Sequence, residues 1–166
     1  ASAICEETVI AKQDSSAHQL EHSLETQLPF LQYFNKKLQI VPICVKRMTI
    51  SACKTLSEGI VRALNRLDKP VLLVASSDMS HYESHDKATI KDRMAITCIQ
   101  NRDPIGLFET VQSEKITMCG VNPVTIMLLC SEKLGAKEAD LVKYMTSGEV
   151  SGDMEKVVGY AGMIIK

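Results

Sequence analysis

The run Val71-Leu72-Leu73-Val74-Ala75, opened by Pro70, constrains the fold more than any other stretch. It is apolar at consecutive positions, so its side chains leave a strand on both faces and both must be covered. Leu38 to Val45 reads as a second buried strand. Between and after these runs the apolar spacing changes to a helical period. A short helix is predicted over Ala1 to Ile10. A long one is predicted from Ala17 to Asn35, on the stripe Leu20, Leu24, Leu28, Leu31 and Phe34. A third covers Thr49 to Leu67, with Cys53, Leu56, Ile60 and Leu64 inward. Asp86 and Asp103-Pro104 cap helices reaching about Gln100 and Glu114. Val124 to Leu134, ended by Gly135, is apolar nearly all round and should be central. Leu141 to Thr146 and Val157 to Ile165 read as the last strands, separated by turns at Ser147-Gly148 and Ser151-Gly152-Asp153. The alternation predicts one α/β domain over residues 1–166, with a mixed sheet sandwiched by helices.

Composition excludes several classes. The 166 residues carry a net charge of −1 and no Trp, so neither a basic face nor a stacking platform for nucleic acid is expected. No apolar stretch approaches the ~18 residues of a spanning helix, so no membrane partner is expected. Ala1-Ser2-Ala3-Ile4-Cys5 reads as the middle of a helix rather than a start, and the chain is expected to be a C-terminal fragment of its domain. None of the six cysteines forms a Cys-x-x-Cys pair, and most lie in apolar company. Core thiols in a reducing, cytoplasmic setting are expected.

Three constellations can carry chemistry. On a continuous helix His18, His22 and Glu25 fall within about 60° of one another, opposite the leucine stripe. The H-x-x-E-H string His18 to His22 also matches a zinc-peptidase pattern, in which His18 would have to be a ligand. A solvated polar face is the plainer reading, above all for His18. The second constellation is Ser76-Ser77-Asp78-Met79-Ser80-His81-Tyr82, directly after the strongest strand. Sites gather beyond the carboxyl ends of strands, and Asp78 can orient or charge the His81 imidazole there. A helix cap beside a surface histidine is the alternative. The third is Cys119, ahead of the buried helix. A helix N-terminus favours the thiolate, the metal-binding and nucleophilic form, although a buried inert thiol fits the local sequence equally.

Taken together the strings resemble a known family. Glu21-His22-Ser23-Leu24-Glu25-Thr26-Gln27-Leu28-Pro29-Phe30 resembles the Memo family's E-H-S-x-E-x-x-L-P motif. Ser76 to Tyr82 resembles its S-S-D-x-x-H-[WY] motif, and Ile116-Thr117-Met118-Cys119-Gly120 its I-x-x-C-G motif. Thr146 to Asp153, followed by Val158-Gly159-Tyr160-Ala161, resembles the tail of its prokaryotic members, often called AmmeMemoRadiSam system protein B. The resemblance implies a class III extradiol dioxygenase-like fold with its N-terminal part missing. It places Cys119 where the family has a thiolate metal ligand. It places His81 at the dioxygenases' acid/base histidine, with Asp78 beside it. His22 and Glu25 look like pocket-wall residues. His18 has no counterpart in the motif.

The family's two histidine ligands come from H-A-G-Y and S-H-H strings, and neither occurs in this chain. The intact site implies iron or copper, and this chain is expected to hold neither tightly by itself. Its expected partners are the missing N-terminal part or further copies of itself. The expected role is a metal-linked, redox or dioxygenase-like one. The alternative is a non-enzymatic adaptor that recognises a peptide or phosphotyrosine-type ligand. A missing set of strands would leave an exposed edge or apolar face.

Overall fold

A computed structural model describes all 166 residues. The helices are α1 (Ser2–Glu7), α2 (Leu28–Phe34), α3 (Ile50–Asn65), α4 (His85–Gln100), α5 (Pro104–Ser113), α6 (Val121–Lys133) and α7 (Gly148–Ser151). The strands are β1 (His81–Glu83), β2 (Ala139–Thr146) and β3 (Val157–Ile165), and Ser16–His18 makes one 3-10 turn. Local chemistry sets several of these starts. Thr49 Oγ1 accepts from the Ala52 amide at 3.3 Å ahead of α3. Asp103 Oδ1 accepts from the Gly106 amide at 2.8 Å ahead of α5, with Pro104 in the first turn.

The α/β class is as expected. The strands form a three-stranded sheet in the order β1-β3-β2, with both pairings antiparallel. β2 and β3 pair from Ala139 opposite Ile165 to Thr146 opposite Gly159, with one irregularity between Leu141 and Lys143. Helix α6 lies between two apolar clusters. Its Val124 and Leu128 join Ile96 and Ile99 of α4 and Leu107 and Val111 of α5, against which Leu141, Ala161 and Met163 of the sheet pack. Its Ile126, Leu129 and Cys130 meet Cys53, Leu56 and Ile60 of α3. A helix buried along two sides needs apolar residues all round, as its sequence has. No helix is long and apolar enough to cross a membrane.

Two expectations are corrected. The helix predicted over Ala17 to Asn35 is reduced to α2, preceded by a chain of turns. Asp14 Oδ1 accepts from the Ser16 and Ala17 amides at 3.0 and 3.3 Å, which caps only the single 3-10 turn. Glu21 Oε1 then accepts from the Ser23 amide at 2.7 Å, a donor that a continuous helix would direct to the Gln19 carbonyl. Pro29 then suits the first turn of a new helix and not the interior of an old one. The second correction concerns Leu38–Val45 and Val71–Ala75. Both runs are free of helix, but neither joins the sheet. A strand exists only through a paired neighbour, and within this chain neither run has one.

Helix α1 is held to α3 by charge. Arg62 Nε lies 2.9 Å from Glu7 Oε2, and Arg66 Nη1 lies 2.9 Å from Glu6 Oε2 and 3.1 Å from Glu7 Oε1. Hydrogen bonds from Arg62 and then Arg66 hold the Glu7 carboxyl below its usual range. A depressed carboxylate stabilises the folded form above its unfolded pKa, and that contribution disappears as pH falls through the folded value. Amide exchange in α1, corrected for the intrinsic rate, is therefore expected to accelerate selectively below the ordinary glutamate range. Equal acceleration across α1 and α6 would refute a local effect.

Candidate metal centre

The segment after Ala75 is pinned from several sides. The Met79 amide donates to the Gly159 carbonyl, and the Gly159 amide donates back to the Ser80 carbonyl, both at 2.9 Å. The Ser80 amide donates to Asp92 Oδ1 at 2.9 Å, and Tyr144 Oη donates to Asp92 Oδ2 at 2.9 Å. Asp92 is fully buried in α4, so one carboxylate ties this segment to α4 and β2. Asp78 and His81 flank the anchored pair Met79-Ser80.

The Ile116–Gly120 stretch runs alongside. The His81 amide donates to Thr117 Oγ1 at 2.6 Å, and the His81 ring contacts the Thr117 carbonyl through Nδ1 at 2.7 Å. A carbonyl oxygen can only accept, so Nδ1 carries the hydrogen. A neutral His81 then has its lone pair on Nε2, which faces Asp78 Oδ2 at 3.4 Å. Gly120 approaches the turn closely: its amide donates to Ser77 Oγ at 2.9 Å. Cys119, immediately before it, accepts from the Asp78 amide on Sγ at 3.2 Å. That bond aims a backbone donor at the sulfur just ahead of α6.

The result is a convergence of acceptors. One ligand atom each from Asp78, His81 and Cys119 lies within 4.8 Å of the others. Asp78 and His81 are partly buried, and Cys119 is exposed. A carboxylate, an imidazole lone pair and a sulfur that close together repel one another unless a proton or a cation sits among them. An imidazole whose other nitrogen donates to a backbone carbonyl is also the usual second-shell arrangement of a metal-ligating histidine. The donor set therefore fits a transition metal.

Next to the trio stands the last residue of the Ser76–Tyr82 motif, to which the sequence assigned no role. Tyr82 is exposed with φ of +58°, in the left-handed region that a bulky side chain rarely adopts, at the irregularity between His81 and Glu83. Thr117 and Asp92 were likewise given no role. No residue type marks a backbone carbonyl as a histidine partner, and Asp92 looks like any polar position of an amphipathic helix.

His22 and Glu25 are exposed, the first in irregular backbone and the second in a turn, and neither is on a helix. Their loop borders the site through Ser76: Ser76 Oγ donates to the Ser23 carbonyl at 2.9 Å, and Gln27 Nε2 donates to Ser76 Oγ at 3.3 Å. Neither belongs to the ligand group. His18 sits in the 3-10 turn, and His18, Glu21 and His22 form no ligand group. The helix that would have aligned them for a zinc peptidase is not there.

Comparison with known proteins gives one consistent result. A family model described as Memo-like protein matches residues 1–164. A MEMO1 family protein of Methanopyrus kandleri is 39% identical over 167 aligned residues, which cover all of this chain and 59% of that protein. A MEMO1 family protein of Methanobrevibacter smithii is 42% identical over 94% of this chain and 55% of its own length. One of Ignicoccus hospitalis is 44% identical over 93% of this chain and 54% of its own length. The chain thus spans little more than half the length of these relatives.

Proposed function

Because the chain belongs to the Memo-like family, with its class III extradiol dioxygenase-like fold, we propose that it is the thiolate-bearing portion of a transition-metal site serving redox or dioxygenase-like chemistry. The metal is iron or copper. The observation that carries this reading is the convergence of Cys119 Sγ, His81 and Asp78 within 4.8 Å. A bound ion would supply Lewis-acid and one-electron chemistry at the sulfur. The chain's own residues hold the thiolate through the Asp78 amide and orient the imidazole through Thr117. His81 Nε2 and Asp78 Oδ2 lie 3.4 Å apart, close enough for one cation to meet both. Proton and cation compete for these same acceptors, so metal affinity should fall on acidification. With a donor set open to solvent, binding by this chain alone is weak, and the complete site belongs to the longer polypeptide of the relatives. Six free cysteines suit a reducing cytoplasm.

The test is anaerobic titration with Co(II), as a spectroscopic stand-in for iron, and with Cu(I). Wild-type chain should bind saturably, with a sulfur-to-cobalt charge-transfer band. Cys119→Ser should remove that band and lower affinity by about 100-fold or more, beyond the effect typical of an outer-shell change. Equal metal content in wild type and Cys119→Ser, by elemental analysis, would refute the reading.

A further inference from the structure

Consecutive amides from Asp78 to His81 are each taken by a different residue. The Asp78 amide donates to Cys119 Sγ, that of Met79 to the Gly159 carbonyl of β3, that of Ser80 to Asp92 Oδ1 of α4, and that of His81 to Thr117 Oγ1. Asp92 is the one carboxylate among these acceptors, and it is fully buried. Its other oxygen accepts from Tyr144 Oη at 2.9 Å, and the Arg93 guanidinium lies over the Tyr144 ring, 5.1 Å from its centroid. Gly159 leaves room for it, since a Cβ there would overlap Asp92 Oδ2. Asp92 is thus seated between both strands of the β2–β3 hairpin, and the Val158-Gly159-Tyr160-Ala161 string of that hairpin supplies no donor to the ligand group. A buried carboxylate is costly unless its oxygens are matched. Here they are matched by one amide and one hydroxyl, so the place of the Ser80 amide is narrowly specified.

We propose that Asp92 is a positioning residue of the metal centre, held by Tyr144 and admitted by Gly159, and that it sets the placement of Asp78 and His81 relative to Cys119. Asp78 and His81 stand on either side of Met79-Ser80. A shift of the Ser80 amide therefore moves both donors, while Cys119 is carried by a different segment at the start of α6. Asp92 touches neither donor and acts only through the backbone between them. This role rests on the metal reading above. It gives the C-terminal hairpin a task at the site: β3 anchors the Met79 amide directly, and β2 anchors the Ser80 amide through Tyr144 and Asp92.

The test is anaerobic Co(II) titration of the 166-residue chain, at a temperature where circular dichroism shows each variant folded. Asp92→Ala should lower affinity by about 10–100-fold, the range for lost outer-shell support. Tyr144→Phe removes one hydrogen bond and keeps the ring, so it should lower affinity in the same direction by a smaller factor, and it gives the same comparison if Asp92→Ala does not fold. Asp92→Asn keeps an oxygen for the Ser80 amide and presents its NH2 to Tyr144 Oη, which can accept, so it should restore most of the affinity. Leu56→Ala opens a cavity in the α3–α6 cluster, away from the turn, and should lower the melting temperature with affinity unchanged. Wild-type affinity in Asp92→Ala would overturn the role, as would an Asp92→Asn variant no better than Asp92→Ala. An equal loss in Leu56→Ala would also overturn it, by tracing the effect to stability alone. A metal-free readout separates this role from the metal reading. The ring nitrogen chemical shifts of His81 report the Nδ1–H tautomer held by the Thr117 carbonyl, and Asp92→Ala should mix the two tautomers. If wild type binds no Co(II) but Asp92→Ala shows that mixing, the metal reading fails and the positioning stands. Unchanged His81 shifts in Asp92→Ala would overturn the positioning.

Discussion

Gly159→Ala is expected to destabilise the chain by about 2–4 kcal/mol, and to do so through Asp92. A Cβ at position 159 would stand 1.9 Å from Asp92 Oδ2, 3.1 Å from its Cγ and 3.2 Å from Met79 Cβ. A long exposed side chain would swing away at little cost, but Asp92 is fully buried and held by the Ser80 amide and Tyr144 Oη. Moving it leaves a buried amide and a half-buried phenol without their acceptor. Tyr144 has little alternative: desolvation by burial, joined by the bond to Asp92, pushes its hydroxyl up to about 12, so it stays a neutral donor. Urea denaturation of Gly159→Ala and Asp92→Ala should show losses of similar size. The double variant should lose much less than their sum, because both act on one joint. Strict additivity would show that Gly159 matters for another reason.

Gly120→Ala should weaken metal uptake markedly, though less than Cys119→Ser, while leaving the cysteine in place. The new Cβ would meet Ser77 Cβ at 2.5 Å, Ser77 Oγ at 2.6 Å and the Ser76 carbonyl oxygen at 2.8 Å. One of these contacts is backbone, so a rotamer change does not relieve the overlap. The turn Ser76–Asp78 must move off the start of α6. That breaks the Gly120 amide bond to Ser77 and withdraws the Asp78 amide from the Cys119 sulfur. The donors then separate, and Co(II) affinity should fall by about 10–100-fold, as when outer-shell support is lost. Far-UV circular dichroism should stay close to wild type, since α6 itself is intact. Wild-type cobalt affinity in Gly120→Ala would mean that the turn and the thiol are not acting together.

The site's parts differed in how readily they could be read. Cys119 ahead of an apolar helix, and Asp78 and His81 after an apolar run, are local patterns with local causes. Their meeting is not local. It depends on Gly159 pairing with Met79 and Ser80, and on Thr117 accepting from His81. Those partners lie 36 or more residues away, and nothing local says what they will bond. His22 and Glu25 show the converse failure. Their spacing describes a helix face, but Glu21 takes the Ser23 amide and turns the backbone before a helix can form.

What residue order determined by itself is the set of elements whose reasons lie within a few residues. These are the capped helices α3 and α5, the all-round apolar α6, the final strands β2 and β3, and the motifs that resemble the Memo family. Tertiary structure alone decided which extended runs became strands and which donors became neighbours. A helix closes its hydrogen bonds within itself, so its own sequence can specify it. A strand or a ligand group exists only through distant partners, and Val71–Ala75, strongly patterned but unpaired, shows the difference.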